Sequence, residues 1–246
     1  MFPMTEHHSR GINPALYIPG AIVVAGLIIG VSLIVALKPA TGVGSATGGQ
    51  QAAAVNIKDV KIKGDPYIGK ENAKVVLAYW SDYQCPFCKA VEMGHAQIPQ
   101  IQPSLPALIK EYVDTGKLKI VFKDYAFLSE DSATAALYGR AVWELYPAKY
   151  WEWREAMYVA QDEEHGGFGN EASILELSGK IAGMDAQALK NKVAEKRSAY
   201  LADIEADKAE GTAFGITGTP GFITGKTLIP GADSLATFKK AIDAQL

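Results

Sequence analysis

Cysteine and histidine are scarce in this chain of 246 residues, which contains two cysteines and four histidines. The cysteines lie three positions apart, at Cys85 and Cys88, in the segment SDYQCPFCKA. A structural zinc site needs four ligands, and two thiolates supply only half of them. Of the histidines, only His95 and His165 follow residue 57, and a helix carrying Cys88 and His95 would hold them about 10 Å apart. We therefore predict no metal site and no cofactor.

An excess of basic charge is also missing. The formal net charge is −3, with 24 Lys and Arg against 27 Asp and Glu. Proteins that bind nucleic acid carry a basic electrostatic footprint, so we predict no nucleic-acid partner. The chain shows no internal repeat and no long run of like charges, which excludes repeat architectures and charged interaction tails.

Charge is absent altogether from the apolar run Ala15–Leu37, which Arg10 precedes and Lys38 closes. As a helix this run would rise about 35 Å, enough to cross a hydrocarbon core of about 30 Å. We predict a single transmembrane helix at residues 15–37, after a short cytoplasmic tail at residues 1–14. A cleaved signal peptide is the alternative, because Gly44–Ala46 offers small residues at a cleavage-like spacing, although the apolar run is longer than a typical signal peptide's.

Residues 38–56 are rich in Gly, Ala, Ser and Thr and contain no aromatic residue, which is typical of a flexible linker. A globular domain is expected over residues 57–246. Within it, Lys74–Trp80 and Lys117–Phe127 are predicted to be buried strands, because they are rich in β-branched and aromatic residues. Helical spacing dominates residues 128–207. The predicted class is therefore α/β, interrupted by a helical block.

Local signals place the remaining elements. GFIT and KTLIP are predicted to be two short strands joined at Gly225. A final amphipathic helix follows, capped by Asp233 or Ser234. An earlier helix is predicted to begin at Ser104 and to be closed by Gly116.

Redox chemistry explains the cysteine pair better than a structural cross-link. A disulfide that closes a four-residue loop contributes about 2 kcal/mol, against nearly 5 for a long loop. By contrast, Pro86 suits the first position of a helix, which would place Cys85 at the cap, where unpaired N–H groups and the helix dipole favour the thiolate. Cys88, one turn on, is then close enough to attack a mixed disulfide on Cys85. Lys89 would add positive charge near the sulfur, and Asp82 would oppose it.

Four segments resemble a known family. AYWSDYQCPFC, which follows a predicted strand, is similar to the DsbA-like branch of the thioredoxin superfamily, especially its membrane-anchored, BdbD-like members. PYIGKENAKVV, GKLKIVFKDYAF and GITGTPGFIT resemble other parts of that branch, in the same order. The resemblance covers residues 66–246 and implies a thioredoxin fold with an inserted helical domain at about 128–207.

Particular roles follow from this resemblance. It implies that Cys85 is the exposed, catalytic nucleophile and that Cys88 is the resolving cysteine. Pro86 and Phe87 would form the dipeptide that tunes the redox potential. The best-known oxidases of the branch carry Pro-His there, so Phe87 predicts a somewhat less oxidising enzyme.

The same resemblance implies that Thr219 and Pro220 form a substrate-binding loop facing the disulfide, with a cis peptide bond between them. One departure concerns the proton route. Many relatives carry a buried glutamate six residues before the first cysteine, thought to shuttle protons to the second cysteine. In this chain Tyr79 occupies that position.

The function implied is a thiol–disulfide oxidoreductase that introduces disulfide bonds into unfolded or reduced extracytoplasmic proteins. A membrane quinone reductase of the DsbB or VKOR-like type would reoxidise it. Disulfides persist in oxidising compartments, so the globular domain is expected on the extracytoplasmic side of the cell membrane. A disulfide reductase or isomerase using the same pair is an alternative. A redox-inert tethered chaperone or a Cu(I)-binding module is another.

Overall fold

A five-stranded mixed sheet forms the centre of the structure, a computed structural model that describes residues 55–162 and 166–246. Its strands are β1 (Tyr67–Ile68), β2 (Val75–Ser81), β3 (Leu118–Asp124), β4 (Gly221–Thr224) and β5 (Thr227–Pro230). They lie in the order β1-β3-β2-β4-β5, with β2 parallel to β3 and the other pairs antiparallel. The predicted central strands and the final pair joined at Gly225 are confirmed. Strand β1 has only two residues, too few to produce a recognisable pattern.

Helices surround this sheet. They are α1 (Pro86–Met93), α2 (Leu105–Leu108, continued by a π-helical turn at Ile109–Val113), α3 (Glu130–Leu145), α4 (Tyr150–Ala160), α5 (Glu171–Gly179), α6 (Ala186–Ala213) and α7 (Leu235–Asp243). Short 3-10 turns occur at Ile57–Asp59 and Pro147–Lys149. The helices α3 to α6 are inserted between β3 and β4, so the predicted thioredoxin-like α/β fold with a helical insertion is confirmed.

Both faces of the sheet are buried, which explains the unbroken apolar sequence of β2. Alternate residues of a strand point to opposite faces. Leu77 and Tyr79 accordingly belong to the large core on one face, whereas Ala78 and Trp80 belong to a smaller core on the other. All four side chains are fully buried. The strand that leads to the cysteines is therefore fixed from both sides.

The helical insertion extends further than predicted. Its last helix, α6, ends at Ala213 rather than near residue 207. Gly211 lets the last part of this helix lie directly against the sheet. A Cβ atom at Gly211 would come within 2.8 Å of the buried Trp80 ring. The Trp80 indole N–H also donates a 2.9 Å hydrogen bond to the carbonyl of Asp207.

A buried cluster of charges joins α6 and α3 to the sheet. Its members are two cations and four carboxylates: Lys123, Arg140, Asp65, Asp124, Asp207 and Glu210. Asp207 pairs with both cations. Burial raises the pKa of Asp207 to about 7, because the desolvation of its carboxylate and the neighbouring acids outweigh the two cations. The cluster is thus sensitive to proton concentration near neutrality.

The predicted caps and ends of the other helices are mostly confirmed. Ser234 is the N-cap of α7, and its side chain accepts a hydrogen bond from the N–H of Thr237, as predicted. Gly116 follows the π-helical turn with φ of +76°, a conformation that favours glycine. Helix α2 begins directly after Ser104, as predicted, but the Ser104 side chain makes no capping hydrogen bond. Its backbone is helical rather than extended, and its hydroxyl donates to the carbonyl of Asp233 instead.

Several sequence predictions lie outside the described residues. These are the tail at residues 1–14, the transmembrane helix at 15–37 and nearly all of the linker at 38–56. Across residues 55–162 and 166–246, none of the helices has both the length and the apolarity that a membrane span requires.

Candidate active site

The two cysteines lie where β2 ends and α1 begins. Cys85 is the N-cap of α1, with an extended backbone, and Pro86 is the first helical residue, as predicted. A tight turn leads into the cap, in which the N–H of Cys85 donates to the carbonyl of Asp82 at 3.1 Å. The carbonyl of Cys85 in turn accepts from the N–H groups of Cys88 and Lys89. Both cysteines are free thiols, one helical turn apart.

The environment of Cys85 favours its thiolate. The pKa of Cys85 is lowered mainly by a hydrogen bond from the Cys88 thiol, although burial works in the opposite direction. The Thr219 side chain and the backbone N–H groups of Phe87 and Cys88 add to the lowering. Free N–H groups at a helix N-terminus stabilise negative charge in this way. Cys85 is therefore both a good nucleophile and a good leaving group.

Cys88 has the opposite tendency. Its side chain is fully buried, and burial raises the pKa of Cys88 well above its ordinary value. The hydrogen bond to Cys85 and the charge of that neighbour raise it further. The two shifts run in opposite directions, so Cys85 ionises more readily than Cys88. This asymmetry gives the two cysteines different chemical roles.

The predicted substrate-binding loop, Thr219–Pro220, lies against the Cys85 sulfur. The peptide bond between Thr219 and Pro220 is cis, as the family resemblance implied. The Cys85 sulfur lies 3.3 Å from the Thr219 carbonyl oxygen, so the loop covers the sulfur. The expectation that Cys85 is exposed is therefore wrong, because only 4% of the residue is accessible to solvent.

The charged neighbours of the cysteines act differently from the sequence-based expectation. Lys89 does not face the Cys85 sulfur, because its ammonium group donates to the Gln161 carbonyl at 2.8 Å. Asp82 is buried, and its carboxylate accepts backbone hydrogen bonds from Gln84, Phe127 and Leu128. Asp82 therefore ties the cysteine turn to the segment after β3. Neither residue is among the groups that shift the pKa of Cys85.

The rim of the site offers an apolar contact and an adjoining cavity. Phe87 is 46% exposed, so its ring is available to an approaching polypeptide. Next to Pro86, a cavity of about 450 Å³ is lined mainly by polar side chains, including Lys89, His95 and Asp162. The described residues contain no group of three or more Cys, His, Asp or Glu side chains that would hold a metal ion.

One residue at the site has no signal in the sequence. Gln161, at the end of α4, donates from its side-chain amide to the carbonyls of Tyr83 and Cys85, at 2.7 and 3.2 Å. It thereby fixes the backbone of the cysteine turn to the helical insertion. Its role depends on a contact with Cys85, which lies 76 positions away in the chain. The residues around Gln161 therefore give no indication of it.

Comparisons with known proteins agree with this geometry. A family model described as thioredoxin matches residues 61–244. The chain is 24% identical to disulfide bond formation protein D of Bacillus subtilis, over 75% of this chain and 78% of that protein. The crystal structure of oxidised BdbD from Bacillus subtilis superposes with a TM-score of 0.65, at 23% identity, covering 75% of this chain and 94% of that one. The thiol-disulfide exchange protein alpha-DsbA2 of Wolbachia pipientis gives 0.61 at 27% identity, covering 73% and 86%.

Proposed function

Since the chain belongs to the thioredoxin family, we propose that Cys85 and Cys88 form the redox-active pair with which it introduces disulfide bonds into extracytoplasmic proteins. The protein is a thiol–disulfide oxidoreductase of the DsbA-like kind. The observation that carries the proposal is the asymmetry of the pair. The pKa of Cys85 is lowered at a helix cap, whereas the pKa of Cys88 is raised by burial one turn away.

The reaction runs in two exchanges. A substrate thiolate attacks the Cys85 sulfur of the Cys85–Cys88 disulfide, so a mixed disulfide forms and Cys88 leaves with the electron pair and takes up a proton. A second substrate thiolate then attacks the substrate's own sulfur in that mixed disulfide, and Cys85 leaves as the stabilised thiolate. The substrate loses two electrons and gains a disulfide, and the enzyme becomes a dithiol.

The residues around Cys85 have distinct places in this scheme. The Thr219–Pro220 loop lies against the sulfur that bonds to the substrate, so it is the proposed substrate-binding element. Pro86 begins the helix whose N–H groups stabilise the thiolate. Phe87 presents an exposed ring to unfolded chains, and as part of the dipeptide between the cysteines it adjusts the redox potential together with Pro86.

The cellular setting rests on the sequence. The uncharged run at residues 15–37 supports a single membrane anchor, and residues 38–56 support a flexible tether to it. The globular domain then lies outside the cytoplasm, where disulfides persist. The family resemblance supports a DsbB- or VKOR-like membrane quinone reductase as the partner that reoxidises the pair. Protease protection of the tagged N-terminus in intact cells tests this orientation.

The function is tested with a reduced, unfolded protein whose activity depends on disulfides. The oxidised full-length protein is expected to restore that activity, and Cys85→Ser is expected to abolish the effect because the attacked sulfur is gone. A tethered chaperone would keep its activity in this variant, and that result would contradict the proposal. Equilibration with glutathione then measures the potential, for which about −120 mV indicates a strong oxidant and about −270 mV a thioredoxin-like reductant.

A further inference from the structure

The peptide unit between Cys85 and Pro86 connects the reactive cysteine to helix α1. Proline has no N–H group, so this peptide unit can be held only through its carbonyl oxygen. That oxygen accepts from the N–H groups of Cys88 at 3.1 Å and Lys89 at 3.2 Å, the first hydrogen bonds of the helix. The orientation of the Cys85 carbonyl therefore decides how the start of α1 faces the sulfur.

A third donor reaches the same oxygen from the helical insertion. Gln161 is the C-cap residue of α4, and its side-chain Nε2 donates to the Cys85 carbonyl at 3.2 Å and to the Tyr83 carbonyl at 2.7 Å. Carbonyl oxygens only accept hydrogen bonds, so the amide has to turn its nitrogen towards them. One side chain thus holds two carbonyl groups of the cysteine turn, residues 82–85.

Other contacts fix the remaining parts of this turn. The Tyr158 hydroxyl, also from α4, donates to the Asp82 carbonyl at 3.2 Å. The N–H of Gln84, on the opposite edge of the peptide unit that carries the Tyr83 carbonyl, donates to the Asp82 carboxylate at 2.8 Å. Together with Gln161, these bonds hold both edges of that peptide unit. Its rotation would break at least one of them.

Gln161 is itself held firmly in place. The residue is only 6% exposed, and its backbone carbonyl accepts from the Lys89 ammonium group of α1 at 2.8 Å. A few residues later the chain returns to the cysteine turn, where the Phe168 carbonyl accepts from the Gln84 side chain at 3.1 Å. The insertion and the turn therefore exchange hydrogen bonds in both directions, which leaves the Gln161 side chain in one position.

The other end of the Gln161 amide indicates a role beyond stability. Its Oε1 atom is buried and has no hydrogen-bond partner among the residues that the structure describes. A buried acceptor without a partner costs stability, so such a group in a folded protein calls for an explanation. The two bonds that Nε2 donates to the cysteine turn supply that explanation.

We propose that Gln161 is a positioning residue for disulfide exchange, which holds the Cys85 carbonyl so that the start of α1 stabilises the Cys85 thiolate. The N–H groups of Phe87 and Cys88 face this sulfur. Their effect on a negative charge depends on their alignment with it. Without Gln161 the Cys85 carbonyl is held less firmly, and this alignment is lost. The thiolate of the reduced form then becomes less stable, so the protein becomes a weaker oxidant.

The test compares the full-length wild type with Gln161→Met, which keeps the length of the side chain but cannot donate a hydrogen bond. The pKa of Cys85 is measured from the pH dependence of its alkylation by iodoacetamide in the reduced protein. It is expected to rise by about one pH unit, the size of a helix-terminus effect at a partly buried position. The equilibrium with glutathione should shift about tenfold towards the disulfide form, which corresponds to about 30 mV.

Two comparisons separate positioning from a general loss of stability. Amide hydrogen exchange of Cys88 and Lys89, followed by NMR, should be faster in Gln161→Met, because their N–H groups bond to the carbonyl that the variant releases. Thr224→Val is the matched control, since it removes a buried side-chain hydrogen bond of 2.8 Å to the Val76 carbonyl, near the other end of β2. The control should lower the free energy of unfolding and leave the Cys85 pKa and the glutathione equilibrium unchanged.

A second variant keeps the test decisive if Gln161→Met does not fold. Gln161→Asn retains the amide on a side chain one methylene shorter, so it should give a smaller shift in the same direction. Wild-type values of the Cys85 pKa and of the glutathione equilibrium in a folded variant would overturn the proposal. The inference rests on the proposed function, but the two fail separately. Loss of all exchange in Cys85→Ser supports the function whatever Gln161 contributes.

Discussion

Replacing Arg154 by methionine is expected to destabilise the protein more than most single substitutions, because it isolates a buried charge. The Arg154 guanidinium donates to both carboxylate oxygens of Glu92, at 2.6 to 3.2 Å, and to the hydroxyl of Ser81 at 2.8 Å. It also lies 4.3 Å from the centre of the Phe122 ring. Methionine fills similar space but leaves the completely buried Glu92 without a counter-charge.

The expected loss follows from that geometry. Removing one partner of a buried ion pair costs about 3–5 kcal/mol, since the remaining charge is uncompensated. The cation–π contact with Phe122 adds about 2 kcal/mol at a desolvated site. For a domain of this size, each kcal/mol lowers the melting temperature by about 2–4 °C. Arg154→Met should therefore melt at least about 6 °C below the wild type.

Urea unfolding of the reduced protein, followed by tryptophan fluorescence, measures the loss. The double variant Arg154→Met/Glu92→Leu is expected to recover much of it, because no isolated charge remains. The deficit of the single variant should also shrink at lower pH, where Glu92 takes up a proton. Lys180→Met is the control, since the Lys180–Glu176 pair is 72% exposed at both ends and should contribute nothing measurable. A single variant as stable as the wild type would refute the reasoning.

Three further outcomes are expected. Cys88→Ser should accumulate a mixed disulfide between Cys85 and an oxidised substrate, visible on non-reducing gels, because the resolving thiol is gone. The pKa of Asp207 is about 7 in the folded protein, so its contribution to stability should be lost as pH rises from about 4 to 7. In urea titrations, Asp207→Asn should remove this fall in the free energy of unfolding with pH. Gly211→Ala should lower the free energy of unfolding by about 1–3 kcal/mol, because overpacking against Trp80 outweighs the gain in helix propensity. Gly179→Ala should cause no such loss, because no atom lies nearer than 3.8 Å to the added methyl group.

Local patterns were sufficient for the elements that carry the cysteines. The apolar run of β2 and the proline after Cys85 each act over a few residues, so the strand, the cap and the start of α1 were predictable. The end of α6 was not, because the reason for a glycine at position 211 is the close approach of Trp80, which is more than a hundred positions away in the chain. The Ser104 side chain was not predictable either, because its hydroxyl donates to the carbonyl of Asp233, which is distant in the sequence, instead of capping the helix.

The sequence by itself determined that two thiols lie one helical turn apart at a helix start, because the spacing and Pro86 act within a single turn of the chain. The family resemblance added the cis bond before Pro220. Only the tertiary structure decided what surrounds the sulfurs: the Thr219 carbonyl over Cys85, and the buried Tyr79, Glu92 and Arg154 beside Cys88. Desolvation and charge pairing depend on which distant segments meet in space, and 62 positions of chain separate Glu92 from Arg154.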